Sequence, residues 1–132
     1  DVIVGGAGDD SLNGQGGRDI VIGGLGRDKV YGVGTGSSSA REGNLLIGDA
    51  TDFESDRVAL AALSAAWSAN APGTIAATVR SYLNDESILE DGQADSLKGT
   101  TKGVDWFWSF ELTSQGKRLD KLSSLSKNDL LN

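Results

Sequence analysis

The 132-residue chain has no cysteine, no histidine, no methionine and a single proline. Without cysteine there is no disulfide and no thiolate nucleophile. Lacking histidine as well, it has neither the usual zinc ligands nor the commonest general base of neutral pH. Positive charge is also scarce, with 12 Lys and Arg against 19 Asp and Glu. Nucleic-acid surfaces neutralise phosphates with clustered basic side chains, so this balance argues against nucleic acid and for cations as partners. No run approaches the roughly 18 apolar residues of a membrane span, and the first residues lack the charged and apolar regions of a secretion signal. Phosphate-loop, dinucleotide and nucleophile-elbow patterns are missing. Neither "DATDFESD" nor "DESILEDG" has the order of an EF-hand loop.

What the chain has in quantity is glycine, 19 residues, and in residues 1–32 the glycines keep a frame. Asp1, Asp10, Asp19 and Asp28 recur every nine residues, each followed two positions later by Ile3, Leu12, Val21 or Val30. Gly5, Gly14, Gly23 and Gly32 open the units, and Gly8, Gly17 and Gly26 stand two residues before an Asp. A flexible linker would need the glycines but not the fixed Asp and apolar positions. The unit G-x-x-G-x-D-x-U-x, with U a large apolar residue, uses every position. Glycine lets the backbone turn sharply and aim carbonyls inward, the Asp closes the turn with a carboxylate, and calcium accepts the irregular oxygen shell that results. A short strand follows, with U on one face. One unit cannot bury its U residue alone, so units must stack.

The nonapeptides "GGAGDDSLN" and "GGLGRDKVY", and "GQGGRDIVI" with Gln15 at the second glycine, resemble the RTX or haemolysin-type calcium-binding repeat. The resemblance implies a mainly β fold, a right-handed parallel β-roll with two nonapeptides per coil and calcium ions between turns two repeats apart. Carried onto this sequence, it pairs Asp1 with Asp19 and Asp10 with Asp28, with carbonyls of Gly6, Gly8, Gly17, Gly24 and Gly26 completing the shells. It also implies a secreted or bacterial cell-surface protein of type I export that folds on meeting extracellular calcium. Asp9, Arg18 and Arg27, at the fifth position, are expected to point outward.

The frame breaks after Gly32 at "GVGTGSSSAREG" and resumes in "NLLIGD", where Asn44 takes the metal position against Asp19 and Leu46 the U position. Asp49 and Asp52 serve either the next calcium turn or the N-terminus of a helix. From Ser55 the period becomes helical. Leu60, Leu63 and Trp67 share one face, and Ile75, Val79, Tyr82 and Leu83 another, with Thr74 as the second N-cap. The Asp-x-U step returns as Asp95 with Leu97 and Asp105 with Phe107, but a lengthened loop and Gln93 in place of glycine speak against metal there. Trp106 and Trp108 face away from Phe107, either as a platform for the helices or as a surface that stacks on a sugar. The tail, with leucines at 119, 122, 125, 130 and 131, reads as a short helix or a capping strand. As the resemblance implies, it could also contain an export signal.

The expected organisation is repeats over 1–54, a helical hairpin insertion over 55–84, and resumed roll with a cap over 85–132, in one structural domain. Starting within a unit and without Met, the chain is expected to be a piece of a longer polypeptide whose upstream domains are partners. Acid clusters at 49–56 and 85–95 bracket the hairpin and either meet across calcium or form a solvated face. These features point to a non-enzymatic calcium-binding structural module. The alternatives are the C-terminal export and folding region of an RTX enzyme and a carbohydrate-binding adhesin module.

Overall fold

A computed structural model describes residues 1–32, 43–69, 77–84, 86–101, 103–108, 120–125 and 129–131. Each nonapeptide supplies one short strand. β1 (Val2–Ala7), β3 (Ile20–Leu25) and β5 (Leu45–Ile47) belong to a five-stranded sheet that β9 (Trp106–Trp108) and β11 (Leu130–Leu131) complete. β2 (Ser11–Asn13), β4 (Lys29–Tyr31), β8 (Ser96–Lys98) and β10 (Lys121–Ser123) form a four-stranded sheet. All pairings within both sheets are parallel. Because successive repeats alternate between sheets, each strand lies beside the strand two repeats later.

The register explains the U position. Ile3 pairs with Val21, Val21 with Leu46 and Leu46 with Phe107 in one sheet. In the other, Leu12 pairs with Val30, Val30 with Leu97 and Leu97 with Leu122. Val21, Val30, Leu46, Leu97 and Phe107 form a buried cluster, with Ile3, Leu12 and Leu122 packed at its ends. Alternation along each strand sends the neighbouring residues to the other face. There Ile20, Ile22, Leu45, Ile47, Trp106 and Trp108 of the five-stranded sheet make a second buried surface.

The insertion covers that surface. It leaves along β6 (Ala50–Thr51) and returns along β7 (Ile88–Leu89), which pair antiparallel. Between them stand α1 (Arg57–Ala69) and α2 (Ala77–Tyr82). Asp56 caps α1, its Oδ1 accepting from the N–H groups of Val58 at 2.9 Å and Ala59 at 3.1 Å. Leu63 and Trp67 of α1, with Val79 and Leu83, pack onto the sheet. The Trp67 indole donates to the Gly43 carbonyl at 3.2 Å, and its ring centroid lies 6.4 Å from that of Trp106.

Trp106 and Trp108 are thus the floor under the helices, 1% and 2% exposed, which leaves no ring face on which a sugar could stack. Arg18 is half-buried rather than in open solvent. The insertion stands over it, and its guanidinium sits 4.9 Å from the Trp67 ring centroid, a cation–π geometry. Of the tail, the described part is strand rather than helix, since β10 and β11 extend the two sheets. Ser37, Thr74, Ile75 and Leu119 lie outside the described residues. Among the described residues, no helix is long and apolar enough to cross a membrane.

Candidate metal centre

The turns between strands take the shape that the glycines permit. Gly6, Gly24, Gly8, Gly17 and Gly26 all have positive φ, between 101° and 128°. Gln15, which replaces the second glycine of its turn, is held at φ 67°, where a side chain is disfavoured. The opening glycines are required for a different reason. A Cβ on Gly5, Gly14 or Gly23 would lie 2.8, 2.7 or 2.5 Å from Oδ2 of Asp10, Asp19 or Asp28, because the Asp that closes each turn folds its carboxylate back over the residue that opens it. The loops also stack on one another. The carbonyls of Gly6 and Gly8 face the α-carbons of Gly24 and Gly26, and the Gly8 N–H donates to the Leu25 carbonyl at 2.7 Å.

Stacking turns the sixth position into two carboxylate ladders. In the first, the backbone N–H of Asp10 donates to Oδ1 of Asp28 at 2.8 Å. The N–H of Asp28 donates to Asp95 at 2.7 Å, and that of Asp95 to Asp120 at 2.8 Å. In the second, the Asp1 nitrogen donates to Asp19 Oδ1 at 2.8 Å and the Asp19 N–H to Asn44 at 2.9 Å. The N–H of Asn44 donates to Asp105 at 2.7 Å, and that of Asp105 to Asp129 at 2.9 Å. Oδ1 of Asp19, Asp28 and Asp95 is therefore consumed by the rung before it. The other oxygens, Oδ2 of Asp10, Asp19, Asp28 and Asp95, are buried with no hydrogen-bond partner among the described residues.

A family model for RTX calcium-binding nonapeptide repeats, in four copies, matches residues 1–30. Residues 1–30 are RTX repeats. Neither a curated protein nor a solved structure matches the chain.

The donor set fits the ion that these repeats bind. Oδ2 of Asp10 stands with the Gly23 carbonyl over Gly5, and Oδ2 of Asp28 with the Gly48 carbonyl over Gly23, oxygen donors of the kind a hard divalent cation takes. A buried acceptor without a partner is costly, and a cation relieves that cost. Burial pushes the Asp28 carboxyl above its usual range, and the charges of Asp10, Asp91 and Asp9 push it the same way. Burial raises Asp95 to about 7, with Asp120, Asp28 and Asp91 adding to it. Asp105 is raised as well, chiefly by burial.

The two ladders differ in what they leave open. Asn44 has an amide nitrogen where the aspartates carry Oδ2, and it donates to the Gly32 carbonyl at 2.8 Å and to Asp105 Oδ1 at 3.2 Å. Asp105 Oδ2 accepts from the Thr100 N–H at 2.5 Å and the Thr100 hydroxyl at 2.9 Å. Those two rungs complete themselves with protein groups. Asp10, Asp19, Asp28 and Asp95 do not.

The structure brings together the expected pairs Asp1 with Asp19, Asp10 with Asp28, and Asp19 with Asn44. Asp49 is buried beside Asp95 and Asp120, and each of the three offers a carboxylate oxygen within 4.8 Å of the others. Asp52 is exposed in the turn after β6 and stands outside that group; its N–H donates to the Ser87 carbonyl at 2.9 Å. Asp9 is exposed as expected, but its Oδ1 accepts from the Arg27 N–H at 3.0 Å and so fastens one loop to the next.

Sequence reasoning missed Asp120, Asp129 and Asp91. The first two carry the Asp-x-apolar step, with Leu122 and Leu131, that marks the other aspartate rungs. Asp91 accepts from the Gly26 N–H. In the preceding turn the Leu25 carbonyl serves the Gly8 N–H in that way, so Asp91 stands in for backbone that has left into the insertion. No local pattern marks it.

Proposed function

We propose that this chain is a non-enzymatic calcium-binding structural module of a secreted or cell-surface bacterial protein, a right-handed β-roll that orders on meeting extracellular calcium after type I export. Three buried Asp Oδ2 atoms without partners among the described residues, those of Asp10, Asp19 and Asp28 at the nine-residue period of the RTX units, carry this reading. Carboxylates stacked at that spacing repel one another in the calcium-poor cytosol and disfavour the compact state, whereas millimolar calcium outside the cell neutralises them. Asp10, Asp19 and Asp28, with turn carbonyls such as those of Gly6 and Gly8, would hold the ions. The insertion belongs to the scaffold, because its apolar faces are spent on Trp106 and Trp108 and the groove between β1 and α1 is lined by Val2, Val4, Leu60 and small residues, with Arg57 as its one charged side chain.

Circular dichroism and tryptophan fluorescence of the chain, titrated with calcium from excess chelator, test this. Strand signal and tryptophan burial should rise together with calcium, and magnesium at the same concentration should not substitute. Equal strand content and tryptophan burial in chelator and in calcium would overturn the proposal.

A further inference from the structure

Beyond the matched repeats, three aspartates from distant parts of the chain meet. Asp49 follows the turn-opening Gly48 at the position where the repeats carry Gly6 and Gly24. Asp95 closes the same turn after the helical insertion has come between, and Asp120 is the next rung of the first ladder. Their exposures are 1%, 2% and 7%. Oxygens that share one calcium at about 2.3–2.6 Å can be no more than about 5 Å apart; those of the three carboxylates lie within 4.8 Å of one another.

Asp95 supplies a second observation. Its Oδ1 accepts from the Asp28 N–H at 2.7 Å. Its Oδ2 is buried, has no hydrogen-bond partner among the described residues, and turns against the α-carbon of Gly48, the residue before Asp49. A saturated backbone ladder on one side and a partnerless oxygen aimed at the Asp49 turn on the other leave a cation as the group that answers the second.

We propose that Asp49, Asp95 and Asp120 hold a calcium ion at the neck of the helical insertion, in a site distinct from those of the RTX repeats. In a repeat turn the second position contributes backbone alone, whereas here it contributes a carboxylate. Three carboxylates and no thiolate or imidazole select a hard divalent ion. The site joins the outgoing end of the insertion, through Asp49 and β6, to its returning end, through β7 and Asp95, and both to the last coil through Asp120. Two strands of two residues hold the neck otherwise, so the ion fixes how the helices seat on Trp106 and Trp108.

The test is calcium titration calorimetry on the full 132-residue chain, with hydrogen exchange of the β6 and β7 amides read in parallel. Asp49→Asn removes a charge without touching either ladder, and Asp28→Asn alters a repeat site. Asp49→Asn should lose one equivalent of bound calcium, or weaken it at least tenfold, and speed exchange at Thr51 and Ile88 in calcium while repeat binding persists. Unchanged stoichiometry and affinity in Asp49→Asn would overturn the proposal, whatever Asp28→Asn does, and a silent Asp28→Asn would count against the repeat reading alone. If Asp49→Asn does not fold, Asp120→Asn, whose amide oxygen still accepts from the Asp95 N–H, decides by the same criterion.

Discussion

Asn44 shows what a rung of the ladder does when it has no use for a cation, and this makes Asp28→Asn the sharpest single test of the carboxylates. Asp28 is fully buried, accepts the Asp10 N–H at 2.8 Å on Oδ1, and leaves Oδ2 without a partner over Gly23. An asparagine in the same rotamer keeps that acceptor and presents an N–H2 to the carbonyl of Gly23, as Asn44 does to that of Gly32. One neutral hydrogen bond contributes about 1 kcal/mol, and removing a buried, mutually repelled carboxylate adds a comparable amount. Without metal, the variant should be more stable by about 1–2 kcal/mol, a rise of roughly 4–8 °C in melting temperature for a chain of this size. With calcium the order reverses, because a charged ligand has been lost, and the calcium midpoint should rise on the order of tenfold. Melts followed by circular dichroism at pH 8, in chelator and in millimolar calcium, read both effects. If wild type shows no cooperative transition in chelator, the appearance of one in the variant is the expected sign. A variant destabilised equally in both conditions would refute the reasoning, since Oδ2 would then be a structural acceptor and no ligand.

The metal-free protein should also have an inverted pH profile. Asp95 titrates near 7 in the fold against 3.8 unfolded, and Asp28 and Asp105 are raised in the same direction, so the folded state binds more protons between these values. Stability in chelator should therefore increase as pH falls from about 7 towards 4 and be lost as pH rises through 7; in calcium, where protons compete for the ligands, acid should destabilise. Chemical denaturation at pH 5 and pH 8 measures this, and the same slope with and without calcium would contradict it. Trp67→Ala should cost about 3–5 kcal/mol in calcium, because the ring is buried, donates to Gly43 and lies under Arg18; a loss below 1 kcal/mol by denaturant titration would mean that the insertion does not pack there. Gln15→Gly should stabilise the chain by up to about 1 kcal/mol, since Gln15 is exposed and its N–H bond to Asn13 is made by backbone; a lower melting temperature would show that its side chain has a role.

Much of this architecture is legible because one repeat fixes two things at once. The Asp-x-U step sets the phase of the strand, and so by itself assigns Val21, Val30, Leu46, Leu97 and Phe107 to one core and Trp106 and Trp108 to the opposite face. The helical stripes of the insertion were equally readable, since Leu63, Trp67, Val79 and Leu83 obey the 3.6-residue period. The resting place of Arg18 was not readable. From its turn alone the fifth position faces outward, and only the fold shows that outward here means against Trp67 rather than water.

The ladders were legible only where their spacing is regular. Asp10 and Asp28 are 18 residues apart, as two repeats require, whereas the next rung, Asp95, lies 67 residues beyond Asp28. A periodicity search cannot span that gap, because the insertion removes the spacing while leaving the hydrogen bonds intact. The same logic explains the missed Asp120 and Asp129. Glycine marks a turn only where backbone must pass close to a carboxylate or take positive φ, and the ladder itself asks only for a backbone N–H and a carboxylate one coil on. That weaker requirement survives in sequences that have shed the glycine signature. The Asp-x-apolar step, followed beyond the last recognisable glycine turn, is therefore the better guide to the full length of the ladder, and it is what brings Asp120 into reach of Asp49 and Asp95.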